Sequence, residues 1–122
     1  MLKIFKTEEY LELKNPSPAE SYRPEILTDA HDARALGGMF GLLPAGTQVP
    51  YHYHRERESV IVVISGEAVE VLEGEETMIK KGDIIFIPAG KKHMTINRSD
   101  REFRYLEFYT CPPLGADFIA AE

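Results

Sequence analysis

The sequence predicts an all-β fold, either a sandwich or a barrel of antiparallel strands. Short segments rich in β-branched and aromatic residues recur along the chain. Turn signals built from glycine, proline or charged residues separate these segments at intervals of roughly eight to twelve residues. Helical periodicity is almost absent. The chain therefore has the pattern of an antiparallel β protein with little or no helix.

The length and composition fit one domain with an ordinary core. The chain has 122 residues, of which 43% are hydrophobic and 28% are charged. No apolar stretch approaches the roughly 20 residues that span a bilayer. The charged start, MLKIFKTEEYLELK, has no signal-peptide core. We therefore expect a cytoplasmic protein without a membrane partner.

Charge and cysteine content indicate which partners and which cellular compartment to expect. The net charge is −6 and the isoelectric point is about 5.2, whereas nucleic-acid binding depends on basic surface patches. We expect no nucleic-acid partner. The single cysteine, Cys111, cannot form an internal disulfide, which agrees with a reducing compartment. It has no histidine at a recognisable spacing and is interpreted as inert.

The chain divides into an N-terminal strand and arm (1–36), a barrel (37–110) and a C-terminal tail (111–122). In the arm, LKIF at 2–5 is a plausible short strand, and the prolines at 16 and 18 interrupt regular structure. Residues 28–35 are compatible with a helical turn or a loop. The tail either docks on the barrel or frays.

The barrel segment contains the remaining predicted strands. Two of them, Val60–Ile64 and Ile84–Ile87, are apolar at every position, so both of their faces need cover. Another sheet, the N-terminal segment or a second subunit can supply that cover, and a C₂ homodimer is the expected state. The other strands are 39–43, 47–54, 67–72, 77–79, the segment that carries His93 and Thr95, and 103–109.

Three histidines form the candidate chemical site. His52 and His54 lie two residues apart, so on a strand they share a face at a spacing of roughly 6.6 Å. His93 joins them if its segment pairs alongside. Buried imidazoles without hydrogen-bond partners are unfavourable inside an apolar barrel, and a metal ion satisfies all three at once. His31 has no partner at ligand spacing and is interpreted as an exposed polar residue.

Two segments resemble the conserved motifs of the cupin superfamily. GTQVPYHYH (46–54) resembles the opening of the first motif, and GDIIFIPAGKKHMTIN (82–97) matches the second. The resemblance covers somewhat under half of the chain. It implies a double-stranded β-helix, or jelly-roll barrel, with His52, His54 and His93 holding one metal ion.

The chain departs from the first motif at the glutamate that ligates the metal in the family. Ser59 occupies that place, and Glu58 is one residue away. A shift of one residue on a strand moves a side chain to the other face, so Glu58 is a tentative ligand that needs a bulge or a turn to re-aim it. Arg55, Arg57 and Glu58 are interpreted as a solvated charged turn, with a substrate-binding arginine as the alternative.

The resemblance implies a divalent transition metal (Fe, Mn, Zn, Ni or Cu) and a small organic molecule in the barrel cavity. We expect a small metal-dependent enzyme of dioxygenase type. The alternatives are a sugar isomerase or epimerase and a non-enzymatic binding or sensing barrel. The tentative pocket residues are Ser59, Ile61, Val63 and Thr95. The mostly apolar strands favour an apolar or mixed substrate.

Overall fold

A computed structural model describes residues 2–122; Met1 lies outside the described residues. Residues 2–122 form ten strands, one short helix and a 3₁₀ turn at Asp29–His31. In chain order the elements are α1 Thr7–Leu11, β1 Glu25–Leu27, β2 Leu36–Leu43, β3 His52–Tyr53, β4 Ser59–Ser65, β5 Glu67–Leu72, β6 Glu75–Lys80, β7 Ile84–Ile87, β8 His93–Ile96, β9 Phe103–Thr110 and β10 Ile119–Ala120.

The strands form two five-stranded antiparallel sheets that face each other. One sheet has the order β1-β2-β9-β4-β7, and the other has the order β10-β3-β8-β5-β6. Most neighbours are distant in sequence, as in a jelly roll, whose strands alternate between two layers. The predicted all-β, antiparallel jelly-roll barrel is confirmed. Within residues 2–122, no helix is long and apolar enough to cross a membrane.

The main core fills the space between the sheets. Its members include Leu43, Ile61, Ile87 and Phe103, all at most 4% exposed. The packing of neighbouring strands needs a glycine at Gly41 of β2, where a Cβ would collide with the ring of Tyr105 on β9, its pairing partner. The glycine therefore makes room for a buried aromatic ring at the centre of the barrel.

The N-terminal arm covers part of the outer face of the first sheet. Phe5 packs edge-on against Phe108 with ring centroids 5.1 Å apart, and Tyr10 stacks on Phe40 at 5.4 Å. The predicted strand LKIF is wrong. Residues 2–5 are irregular and pair with no strand of either sheet, since Phe5 instead packs over Phe108 on the outer face of the first sheet.

One end of the barrel is closed by a buried asparagine. The Asn97 side-chain amide is fully buried and donates to the carbonyl oxygens of Leu43, Pro44 and Arg101. Its own carbonyl oxygen accepts from the backbone N–H and the hydroxyl of Ser99. The residue ties the end of β8 to the ends of β2 and β9, as expected for a structural residue. The histidines lie towards the opposite end.

Candidate metal centre and cavity

The three predicted histidines converge. His52 on β3 pairs directly with His93 on β8, and His54 follows two residues later on the same face. All three are buried, with 5%, 7% and 5% exposure for His52, His93 and His54. One ligand atom from each ring lies within 4.8 Å of the others. The ring centroids are 4.2 Å apart for His52 and His93 and 5.4 Å apart for His54 and His93.

Each ring is oriented by a backbone carbonyl. The Nδ1–H groups of His52, His93 and His54 donate to Pro50 O (2.7 Å), Lys91 O (2.9 Å) and Asp117 O (2.6 Å). Carbonyl partners of this kind fix the tautomer of metal-binding histidines. The Nε2 atoms are therefore left to act as ligands.

Burial favours the neutral form of His52 and His54. It lowers the pKa of His52 to about 4 and also lowers the pKa of His54. A neutral imidazole has a free lone pair, which is the form that binds zinc, iron, nickel or copper. The convergent rings, their fixed tautomers and this preference for the neutral form all fit a transition-metal ion.

A cavity of about 510 Å³ adjoins the histidines. Both sheets and the C-terminal tail contribute to its wall. Ile61 and Thr95, two of the predicted pocket residues, line it, whereas Ser59 and Val63 are buried on β4 outside the lining. The remaining lining residues are Arg23, Glu25, Val49, His52, His54, Arg57, Glu70, His93, Tyr105, Glu107, Leu114, Gly115 and Phe118.

The family follows from a comparison with known domains. A model of the cupin domain matches residues 39–109, which is more than half of the chain. The chain belongs to the cupin family. The matched segment of this cupin contains all three histidines and runs from β2 to β9.

Individual relatives match parts of this chain. An uncharacterized protein from Aquifex aeolicus is 41% identical over 54 residues, which is 44% of each chain. Quercetin 2,3-dioxygenase from Bacillus subtilis is 28% identical over 81 residues, which is 63% of this chain and 24% of that enzyme. The chain thus matches less than half of the first protein and about a quarter of the second.

One solved structure is similar to this cupin over its full length. An uncharacterized conserved protein with a double-stranded β-helix domain from Klebsiella pneumoniae has a TM-score of 0.78 at 27% identity. The alignment covers 100% of this chain and 99% of the other. The N-terminal arm and the C-terminal tail are therefore part of the shared architecture.

The structure does not bring the tentative ligand Glu58 to the histidines. Glu58 is exposed, and its backbone N–H and C=O bond with the Thr110 hydroxyl and the Thr110 N–H. Ser59 starts β4 in regular register with Ile87 and Tyr109 and is buried. Without a bulge between them, Glu58 and Ser59 point to opposite faces. In the described chain, the candidate ligand group consists of the three histidines.

The sequence reasoning missed a buried glutamate, Glu70. It lies on β5 at 4% exposure, and its Oε1 accepts a 2.6 Å hydrogen bond from the Thr95 hydroxyl. Burial, reinforced by the charge of Glu107, raises its pKa to about 8, although the Thr95 bond opposes the rise. In the sequence, Glu70 lies two residues from both Ala68 and Leu72, so all three share one face of the strand. This spacing is the sequence feature that indicates a buried position for Glu70.

The charged turn beside the histidines is not fully solvated. Arg57 is 2% exposed, and its guanidinium donates to the carbonyl oxygens of Thr110, Cys111, Pro113 and Leu114. It also lies 4.3 Å from the centre of the Tyr109 ring. Through these contacts, the Arg57 side chain holds the C-terminal tail against the barrel. Arg57 is therefore a structural residue, whereas Arg55 and Glu58 are exposed as expected.

The C-terminal tail docks on β3, the strand that carries His52. β10 pairs with β3, and the Phe118 ring stacks on His52 with centroids 4.6 Å apart. The Asp117 carboxylate accepts the backbone N–H groups of Arg55, Glu56 and Arg57. These bonds lower the pKa of Asp117. The tail therefore forms part of the wall of the site and supports two of its three histidines.

Proposed function

We propose that this cupin is a small metal-dependent enzyme of dioxygenase type that acts on an organic molecule in the barrel cavity. The observation that carries the proposal is the convergence of three buried imidazoles on the wall of a cavity of about 510 Å³. Structural zinc sites have four protein ligands, whereas catalytic sites keep positions free for water or substrate. A group of three histidines facing a cavity therefore favours catalysis.

The side chains around the site have complementary roles. An ion held by His52, His54 and His93 would supply Lewis acidity and, with a redox-active metal, reactivity toward oxygen. The three carbonyl acceptors hold the rings in position before substrate binds. Leu114 and Phe118 supply apolar cover at the tail side of the cavity and reduce access of water.

Similarity to quercetin 2,3-dioxygenase from Bacillus subtilis supports the dioxygenase class. Because the match covers 24% of that enzyme, its substrate does not transfer to this chain. The apolar part of the cavity, with Val49, Ile61 and Phe118, suits a ring or another flat apolar group.

A sugar isomerase or epimerase is the second candidate, and the polar part of the cavity favours it. The sequence predicted Thr95 in the pocket but not Glu70, Tyr105 and Glu107, which also line it. These residues come from strands in which buried apolar residues also occupy neighbouring positions, so the pattern hid them. Hydroxyl-bearing substrates need such hydrogen-bond partners.

Metal content is the first test. We expect about one equivalent of a transition metal in untagged protein purified without added metal. The His93→Ala variant should lose it, whereas His31→Ala, an exposed histidine outside the cluster, should retain it. Absence of metal in the wild type, with no uptake on titration, would rule out a metalloenzyme.

Turnover separates the candidates once metal is bound. Oxygen uptake with flavonols and catechols, dependent on His93, would support the dioxygenase. Exchange of a substrate C–H with solvent deuterium in hydroxy-ketone sugars, without oxygen uptake, would support the isomerase. A metal-loaded protein that binds these molecules without turnover would instead be a binding or sensing cupin.

A further inference from the structure

The Glu70 carboxyl group is unusual within the barrel. Two solvent-inaccessible side-chain polar atoms lack a partner among the described residues, and Glu70 Oε2 is one of them; the other is the Tyr109 hydroxyl. The remaining oxygen, Oε1, accepts from the Thr95 hydroxyl at 2.6 Å. Native proteins satisfy nearly all buried polar groups, so an exception on a cavity wall points to a function.

Glu70 lies close to the histidine site along the β5–β8 strand pair. In the β5–β8 pair, Leu72 is opposite His93 and Glu70 is opposite Thr95. Two residues along a strand correspond to about 6.6 Å. One small molecule can therefore reach both the histidine site and the carboxyl group. Glu70 lines the same cavity as the three histidines, and χ3 of a glutamate, which orients its two oxygens, is a broad torsion.

The charges of the cavity indicate which molecules it accepts. Glu25 and Glu107 add two carboxylates to the lining, and the guanidinium of Arg57 is already used by tail carbonyls. Arg23 is the other arginine of the wall. The two carboxylates and the two guanidinium groups of the lining balance, so an uncharged ligand leaves no unpaired charge in the cavity.

We propose that Glu70 is a specificity-determining residue that binds a hydroxyl group of a neutral organic molecule whose other end reaches the three-histidine site. This inference rests on the proposed function and names its substrate class. A protonated carboxyl group can donate to a hydroxyl oxygen while its other oxygen accepts, which suits a hydroxyl better than a carbonyl or an anion. The raised pKa of Glu70 agrees with the protonated form at neutral pH.

A matched series of catechols tests the inference by binding. Their adjacent hydroxyls chelate the metal, and the opposite ring position carries hydroxymethyl, methyl or carboxylate. We use 4-(hydroxymethyl)catechol, 4-methylcatechol and 3,4-dihydroxybenzoate, titrated calorimetrically into zinc-loaded protein without oxygen. We expect the hydroxymethyl compound to bind about 10-fold more tightly than either of the others.

The variants assign the preference to Glu70. Glu70→Leu should abolish the preference for the hydroxymethyl compound, and Glu70→Gln should reduce it. Glu67→Gln, on the same strand but exposed, should leave it unchanged. Zinc content, measured on every variant, should stay at one equivalent. Retention of the preference in Glu70→Leu would overturn the inference while leaving the metal site intact.

A second readout distinguishes ligand recognition from a structural role and needs no metal. Replacing both partners, in Glu70→Leu with Thr95→Val, removes a costly buried carboxyl together with the group bonded to it. We expect the metal-free double variant to melt at least as high as the wild type. A fall of about 4 °C or more would show that the pair holds the barrel together and would overturn the inference. A wild type that takes up no zinc would instead refute the proposed function, and this comparison would still decide the role of Glu70.

Discussion

The main-chain oxygen of Asp117 accepts a 2.6 Å hydrogen bond from Nδ1 of His54, 63 residues earlier in the chain. The same residue uses its carboxylate to bind three consecutive backbone N–H groups directly after His54. One residue of the tail therefore fixes both the ring of a candidate ligand and the turn that follows it. The orientation of the metal site depends on the C-terminus as well as on the two motif strands.

We predict that Asp117→Ala weakens metal binding by about 10-fold, because groups that orient a ligand typically contribute that much to affinity. The zinc dissociation constant, from competition with a chromogenic chelator, provides the measurement. Asp117→Asn should have a smaller effect, since asparagine tolerates the left-handed backbone at this position and keeps one acceptor. Asp100→Ala, in an exposed turn, is the control. Unchanged affinity in Asp117→Ala would contradict the role of the tail.

Arg57 should be important for stability. Replacing it with alanine leaves the carbonyl oxygens of the tail without their donor and removes the contact with the Tyr109 ring. We expect the free energy of unfolding to fall by about 3 kcal/mol, measured by urea denaturation. Arg55→Ala, two residues away and exposed, should change it by less than about 0.5 kcal/mol. Equal effects of the two substitutions would show that the buried contacts contribute little.

Much of the barrel and its histidines could be predicted from local patterns. Strand alternation and turn signals are short-range properties, and the spacing of His52 and His54 places them on one face of any regular strand. The presence of His93 at the same site followed from the motif resemblance, and the structure pairs it directly with His52.

Glu70 and Arg57 could not be assigned in this way, for different reasons. On β5 both faces are largely apolar, since Val69 and Val71 are buried as well as Ala68, so alternation alone did not show which face enclosed the cavity. The burial of Arg57 depends on docking of the tail, which is a contact between residues more than 50 positions apart. Long-range contacts of this kind leave no periodic signal in the sequence.

A second copy of the chain is expected to cover the apolar edge of the first sheet. β7 is an edge strand, and Ile84 and Phe86 on it are 70% and 55% exposed beside the partly exposed Val60. Exposed apolar edge strands favour association. We predict a homodimer of twice 13.8 kDa by light scattering, converted to a monomer by Phe86→Asp. Met78→Asp, which places the same charge at an exposed apolar site on the other sheet, should remain dimeric. A wild-type mass of one subunit would refute the prediction.

The buried carboxyl of Glu70 should make stability depend on pH. Its pKa is about 8 in the folded protein, against 4.5 as the ordinary value expected after unfolding. Between these values the unfolded chain releases a proton that the folded chain retains, so stability is greatest below about pH 4.5 with respect to this group and falls as the pH rises towards 8. The loss between about pH 5 and pH 8 should be about 3 kcal/mol. The lowered pKa values of His52 and His54 add a gain in stability over the same pH range in every variant, so the contribution of Glu70 is read as a difference. By urea denaturation of the metal-free proteins, the change from pH 5 to pH 8 should be about 3 kcal/mol less favourable in the wild type and in Glu67→Gln than in Glu70→Gln. The same pH dependence in all three proteins would mean that Glu70 is ionised in the folded barrel, with its second oxygen satisfied by a group other than a proton.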